Sequence, residues 1–138
     1  MTENRSHQLS KELIISERRR RESQRLSGVG FWELDHKVES LYWSEEIYSI
    51  YEIDPQYNSA NYQLFLDLIY DEDKELVDNS YRDSVASGNE YNIRYRIKAG
   101  DSYKWIEARG VTYYDTNGQA DRTIGTAEDI SEMVIGQK

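Results

Sequence analysis

The stretch YNIRYRIKAGDSYKWIEARG, residues 91–110, decides the fold. Its first half alternates strictly. Tyr91, Ile93, Tyr95 and Ile97 fall on one side of an extended chain, and Asn92, Arg94, Arg96 and Lys98 on the other. A period of two is the signature of a strand with one buried face. Gly100-Asp101 then reads as a two-residue hairpin turn, and the pairing follows by counting. Tyr95 faces Ile106 and Ile93 faces Ala108 on the core side. On the other side Arg94 meets Glu107 as an ion pair, and Arg96 meets Trp105 as a cation–π contact. Each contributes roughly 0.2–1 kcal/mol where exposed.

Working outward, Asp115-Thr116-Asn117-Gly118 is a second hairpin turn, and a further strand is predicted over residues 122–130. On the N-terminal side, VGFWELD and SLYW read as two more strands. Ser44 has helix N-cap chemistry, with Glu45 and Glu46 suiting the first-turn dipole. That helix, carrying Ile47, Ile50 and Tyr51, runs to about Glu52, and Pro55 marks the turn beyond it. YQLFLDLIY is a short apolar helical segment. The acids Asp71, Glu72 and Asp73 open a longer helix with Val77, Tyr81 and Val85 on one face, and Ser87-Gly88 stops it. Two strands, then helices, then three antiparallel strands predict an α+β domain with helices on one face of the sheet.

The totals narrow the class. The 138 residues are one domain's worth, 38% hydrophobic and 31% charged. There is no apolar run long enough to span a membrane and no secretory signal pattern. The chain has no cysteine. This rules out disulfides, thiolate metal sites and a cysteinyl flavin, and it suits a cytoplasmic protein. The net charge of −9 is uneven: residues 1–27 hold seven basic against four acidic residues, and the rest is strongly acidic. An acidic domain repels phosphate backbones, which argues against nucleic acid as a partner. Residues 8–27 predict a helix whose apolar residues, Leu9 and Leu13 among them, stop before Ser16 and resume only at Leu26. A helix with so short an apolar stripe needs a partner to hold it.

In this order and spacing the motifs resemble the PAS domain with its closing PAC motif. They are Gly30-Phe-Trp-Glu-Leu-Asp35, Tyr42-Trp43-Ser44, Asp54-Pro55, Tyr95-Arg96-Ile97, Trp105-Ile106, Gly110, Asp115, Gly118, Gly125 and Asp129-Ile130-Ser131. The resemblance covers residues 28–132. It departs where the family has His-Pro-x-Asp, of which Asp73 alone is present. It departs also at the Gly100-Asp101 turn, usually Asp-Gly, and at Glu52, where many members have Gly. The resemblance implies a five-stranded antiparallel sheet of order 2-1-5-4-3 around a small cavity, preceded by a flanking helix over residues 1–27. Residues 133–138 would begin a linker to an output module such as a histidine kinase or diguanylate cyclase. It implies signal sensing and relay, not catalysis.

Trp32, Trp43, Tyr48, Tyr51, Leu68, Tyr81, Ile93, Tyr95 and Ile106 are the candidate pocket for a small-molecule ligand. The same side chains would fill a plain hydrophobic core, the ordinary place for apolar aromatics, and on sequence both readings stand. Haem is not expected: His7 and His36 lie away from the helices where related haem sensors place their ligand. Non-covalent FAD suits a Trp-rich pocket, although no residue demands it. Acids at a helix start, such as Asp71 to Asp73, ordinarily bind no metal. A small cone-fold isomerase is the remote alternative, with Glu33, Asp35, Glu107 and Asp129 as its only candidate bases. Tyr103, Trp105, Val111 and Tyr113 point away from the core. A sheet face this apolar is usually covered. It predicts a homodimer through residues 8–27, with Leu9 and Leu13, and the Trp105 face; the alternative to a ligand-binding sensor is a ligand-free dimerisation module. Asp129, at the strand–helix junction, is the candidate relay residue by resemblance.

Overall fold

A computed structural model describes residues 28–136. The predicted helix over residues 8–27, with Leu9 and Leu13, lies outside them. The elements run β1 (Val29–Asp35), β2 (Ser40–Trp43), α1 (Glu45–Tyr51), α2 (Tyr62–Leu68), a 3-10 turn (Asp71–Asp73), α3 (Lys74–Ser87), β3 (Tyr91–Ala99), β4 (Ser102–Tyr114), β5 (Ala120–Asp129) and α4 (Ser131–Gly136). The sheet order is β2-β1-β5-β4-β3, with every neighbouring pair antiparallel.

The hairpin register is the one counted from its turn. Tyr95 opposes Ile106, Ile93 opposes Ala108, Arg94 opposes Glu107 and Arg96 opposes Trp105. Tyr91, Tyr95, Ile97 and Ile106 are buried, with Ile93 partly so. Arg94 Nε lies 2.9 Å from Glu107 Oε2, and the Arg96 guanidinium sits 5.4 Å from the Trp105 ring centre.

The helices lie on the inward face, and residue size decides how closely. Gly30, Ala127 and Ala108 form a row of small residues across β1, β5 and β4. Ile47 of α1 settles on it, fully buried. A Cβ on Gly30 would come within 2.3 Å of Ile47 Cγ1 and 3.1 Å of its backbone nitrogen. The next row, Trp43–Trp32–Gly125–Gly110–Tyr91, crosses all five strands. There the two glycines leave room for the Trp32 indole to lie across β5 and β4.

Two helix starts differ from the local reading. Ser44 stands at the N-cap of α1 without a side-chain capping bond. Its hydroxyl instead accepts the Phe31 N–H at 2.9 Å, because β1 passes within reach. Asn61 is the residue that caps, accepting Leu64 N–H at 2.8 Å at the start of α2. The Asp71–Asp73 acids do more than complement a dipole. Asp73 accepts the Arg96 backbone N–H at 2.9 Å and takes both prongs of its guanidinium, at 2.9 and 2.8 Å. Arg96 also stacks 4.3 Å above the Tyr70 ring. The segment before α3 is thereby pinned to the edge strand β3, and the arginine holds the Asp73 carboxyl below the usual carboxylate range.

Glu52 closes α1 with φ 57 and ψ 42, the left-handed region that disfavours a side chain. Its ion pair with Lys104, 3.6 Å apart, is exposed and weak. Lys104 Nζ also donates to the Ile50 carbonyl at 2.9 Å and does not need Glu52 for that bond. Glu52→Gly is expected to raise stability by about 0.5–1 kcal/mol in urea denaturation, the gain of relieving a left-handed cap less the entropy of glycine.

Candidate functional site

The inward side chains leave a cavity of about 40 Å³ between the sheet and the helices. Trp32, Trp43, Tyr51, Tyr81 and Tyr95, all candidates from the sequence, line it together. The rings meet edge to face. Trp43 stands against Tyr51 at 5.2 Å and 83°, Trp32 against Tyr91 at 6.2 Å and 85°, and Phe65 against Tyr95 at 5.8 Å and 88°. Such pairs favour a rigid wall.

The other four candidates sit elsewhere. Tyr48 packs on the far side of Trp43, with centroids 5.3 Å apart, and its hydroxyl accepts the Ala60 N–H. Leu68 closes the end of α2 and packs against the core from there. Ile93 and Ile106 share the inward sheet face and belong to the packed core, but they do not line the cavity. The structure adds Leu34, Leu41, Tyr62, Phe65, Tyr91 and Ala108. Tyr91 and Phe65 were visible as inward or apolar positions. Leu34, Leu41 and Tyr62 join only because β1, β2 and α2 converge.

The polar groups of this site are tyrosine hydroxyls. Tyr51 and Tyr95 share a buried hydrogen bond of 2.9 Å. Burial pushes the Tyr51 hydroxyl up to about 12 and raises Tyr91 and Tyr95 still further. All three are therefore neutral O–H groups at any physiological pH. Tyr91 Oη is the one buried side-chain polar atom among the described residues without a hydrogen-bond partner. No Lys, Arg, Asp, Glu or His borders the cavity. A flavin does not fit the space as packed, since drug-sized ligands occupy roughly 300–1,000 Å³.

Leu34, Leu41, Tyr62 and Tyr81 form a partition, with an open groove of about 540 Å³ on their outer side. Tyr62 is held there by a 2.9 Å bond to Asp78 Oδ1, and Arg82 grips the same carboxylate. His36 faces the groove. Its Nε2 shares a 2.8 Å hydrogen bond with Thr123 Oγ1, which is 2.7 Å from Thr112 Oγ1. Burial lowers the His36 pKa from 6.5, against the pull of Asp35 and Asp121. The unfolded chain thus takes up a proton below pH 6.5 that the folded chain resists. The stability His36 contributes is present above pH 6.5 and is lost as pH falls through its folded pKa. The urea midpoint is expected to drop between pH 7 and 5.5, and this drop should disappear in His36→Gln.

At the far end of the sheet the chain passes from β5 into α4. Asp129 Oδ1 accepts the Ser131 N–H at 3.0 Å. Ile130 N–H donates to the Trp105 carbonyl at 2.8 Å, and Trp105 N–H donates to Ser131 Oγ at 3.0 Å. Trp105 and Asp129 therefore meet at one junction. The outward face of β4 exposes Tyr103 next to Trp105 and, beyond Glu107 and Arg109, Val111 and Tyr113, each close to half accessible.

Sheet order, helix placement and central cavity agree with a match over residues 40–127 to the family described as the PAS fold. The chain belongs to the PAS family. The PAS chain is 34% identical over 107 residues to the sensor protein FixL of Bradyrhizobium diazoefficiens, covering 76% of this chain and 21% of that protein. It is 26% identical over 106 residues to the probable diguanylate cyclase DgcE of Escherichia coli, covering 77% of this chain and 10% of that one. It therefore spans about a fifth and a tenth of the length of these two curated relatives. Among solved structures, a sensory box histidine kinase/response regulator from Burkholderia thailandensis superposes with a TM-score of 0.72. The identity there is 17%, over 86% of this chain and 89% of the other. This likeness is one of PAS fold. Among the described residues no helix is long and apolar enough to cross a membrane, and no acidic or histidine cluster has metal-site geometry.

Proposed function

We propose that this PAS domain is the sensory module of a signalling protein of the histidine kinase or diguanylate cyclase type, and that a small molecule in its core cavity is the signal. One observation carries the reading: the aromatic cavity is lined by Tyr91, whose buried hydroxyl has no protein partner among the described residues. Buried polar groups are almost always bonded, so an unbonded one marks a place for something else. The relatives are by name a sensor and a cyclase, which supports the kind of output. Relay would run through the Trp105–Ser131–Asp129 junction, since α4 is tied there to the sheet that forms the cavity floor. A ligand shifts this junction only as far as it prefers one packing of sheet and helix over another. The test is native mass spectrometry of the freshly purified chain beside its denatured mass. A released small molecule supports a ligand-bound sensor. Bare polypeptide that takes up no small molecule counts against it.

A second reading rests on the outward face. Tyr103 is exposed next to Trp105, and Val111 and Tyr113 lie farther along the same face of β4, apolar positions that a second copy would cover. In this reading the domain dimerises through that face and residues 1–27, with or without a ligand. Trp105→Ala is expected to shift the chain toward monomer in light scattering. An unchanged association state would remove Trp105 from the interface.

A further inference from the structure

The donors and acceptors of the cavity define what it can hold, if the cavity is the sensory site proposed above. Trp32 Nε1–H already donates to the Thr126 carbonyl at 3.0 Å. The Tyr62 hydroxyl donates to Asp78, and the Tyr81 hydroxyl lies on the His36 side of the partition, 3.5 Å from His36 Nε2. Two donors are left. One is the Tyr91 O–H, 96% buried and without a partner. The other belongs to the Tyr51–Tyr95 pair, where one hydroxyl donates to the other and the second proton has no acceptor. The other residues that line the cavity present aromatic rings or aliphatic side chains. No cation is present to neutralise a carboxylate or phosphate, and no carboxylate to receive an amine. Burying an uncompensated charge here costs far more than one hydrogen bond returns.

We propose that the cavity binds a compact, uncharged molecule with an apolar body and one carbonyl or ether oxygen, and that the oxygen accepts hydrogen bonds from Tyr91 Oη and the Tyr51–Tyr95 pair. Its size follows from the space. About 40 Å³ is room for roughly three waters, at about 10–15 Å³ each, or for a molecule of about three to five heavy atoms. A short-chain ketone has this size and this single acceptor. A larger ligand of the same class would have to displace Tyr62 or Tyr81 into the groove.

The experiment uses the full 138-residue chain and three probes, read by the indole N–H signals of Trp32 and Trp43 in ¹H–¹⁵N spectra. Xenon reports the cavity alone, because dry apolar cavities accept it without any hydrogen bond. The other two probes, 2-butanone and propionate, have the same number of heavy atoms and differ in charge. The expected result is saturable binding of 2-butanone, with propionate at least tenfold weaker. Tyr91→Phe should weaken 2-butanone about fivefold to tenfold and leave the xenon shifts unchanged, because it removes one hydrogen bond and no volume. Equal binding of propionate, or a Tyr91→Phe variant with wild-type affinity for 2-butanone, would overturn this ligand class while xenon kept the cavity as a site. A natively folded chain whose indole signals respond to none of the three probes would overturn the sensory-cavity reading itself, and this inference with it.

Discussion

Gly125→Ala is expected to destabilise the domain by about 3 kcal/mol, lowering its melting temperature by roughly 10 °C. The reason is space. Gly125 lies between Trp32 and Gly110 in the row that crosses the sheet. An added Cβ would sit 2.0 Å from the Arg109 carbonyl oxygen and 2.4 Å from Trp32 Cζ2. The carbonyl belongs to the β4 backbone and cannot move without breaking the ladder. Gly110→Ala meets a softer obstacle. Its Cβ would be 2.7 and 2.8 Å from the Trp32 ring, while the nearest backbone atom, the Ile124 carbonyl oxygen, is at 3.3 Å. Gly110→Ala should therefore cost less, about 1–2 kcal/mol, and should be largely relieved in a Trp32→Phe background. Gly125→Ala should not be relieved there. Urea denaturation of the two double-mutant cycles measures the difference as a coupling energy. Equal coupling of both glycines to Trp32 would refute the account.

Tyr91→Phe is expected to change stability in the opposite direction, raising it by about 1–2 kcal/mol. Removing a tyrosine hydroxyl normally costs a hydrogen bond. Here the hydroxyl is buried with no partner, so its removal returns the desolvation penalty. Tyr95→Phe is the control. It deletes the 2.9 Å bond to Tyr51 and strands the Tyr51 hydroxyl, so it should destabilise by about 1 kcal/mol. Two tyrosines on the same strand face, four residues apart, thus give changes of opposite sign. A stabilising Tyr91→Phe that also binds 2-butanone less well would make Tyr91 a residue retained for the ligand at the expense of the fold. A destabilising Tyr91→Phe would mean that the hydroxyl has a partner, and the donor count of the cavity would fall by one.

The hairpin of residues 91–110 was legible to the single residue. Its alternation sets the inward face, and its turn sets the register that pairs Tyr95 with Ile106 and Arg96 with Trp105. The aromatic candidates Trp32, Trp43, Tyr51, Tyr81 and Tyr95 could be read as inward-facing and large, and they do line the cavity. Local rules misjudged Ser44, whose hydroxyl has N-cap chemistry but is taken by Phe31 N–H of β1. They also undervalued Asp73, whose partner Arg96 lies 23 residues away.

What local sequence determines is whatever depends on neighbours within a turn or a hairpin: strand faces, turn positions and helix stops. The pairing of β1 with β5 depends on no such neighbour, because nearly 90 residues separate the two strands. Only that pairing brings Gly125 under Trp32 and sets Gly110 beside it, and only the convergence of β1, β2 and α2 adds Leu34, Leu41 and Tyr62. Sequence alone left core and pocket both open, with core the commoner case for such side chains, because the same aromatics serve either. The tertiary packing adds what bears on that choice. It leaves about 40 Å³ unfilled and one tyrosine hydroxyl unbonded, and both quantities depend on how distant side chains meet.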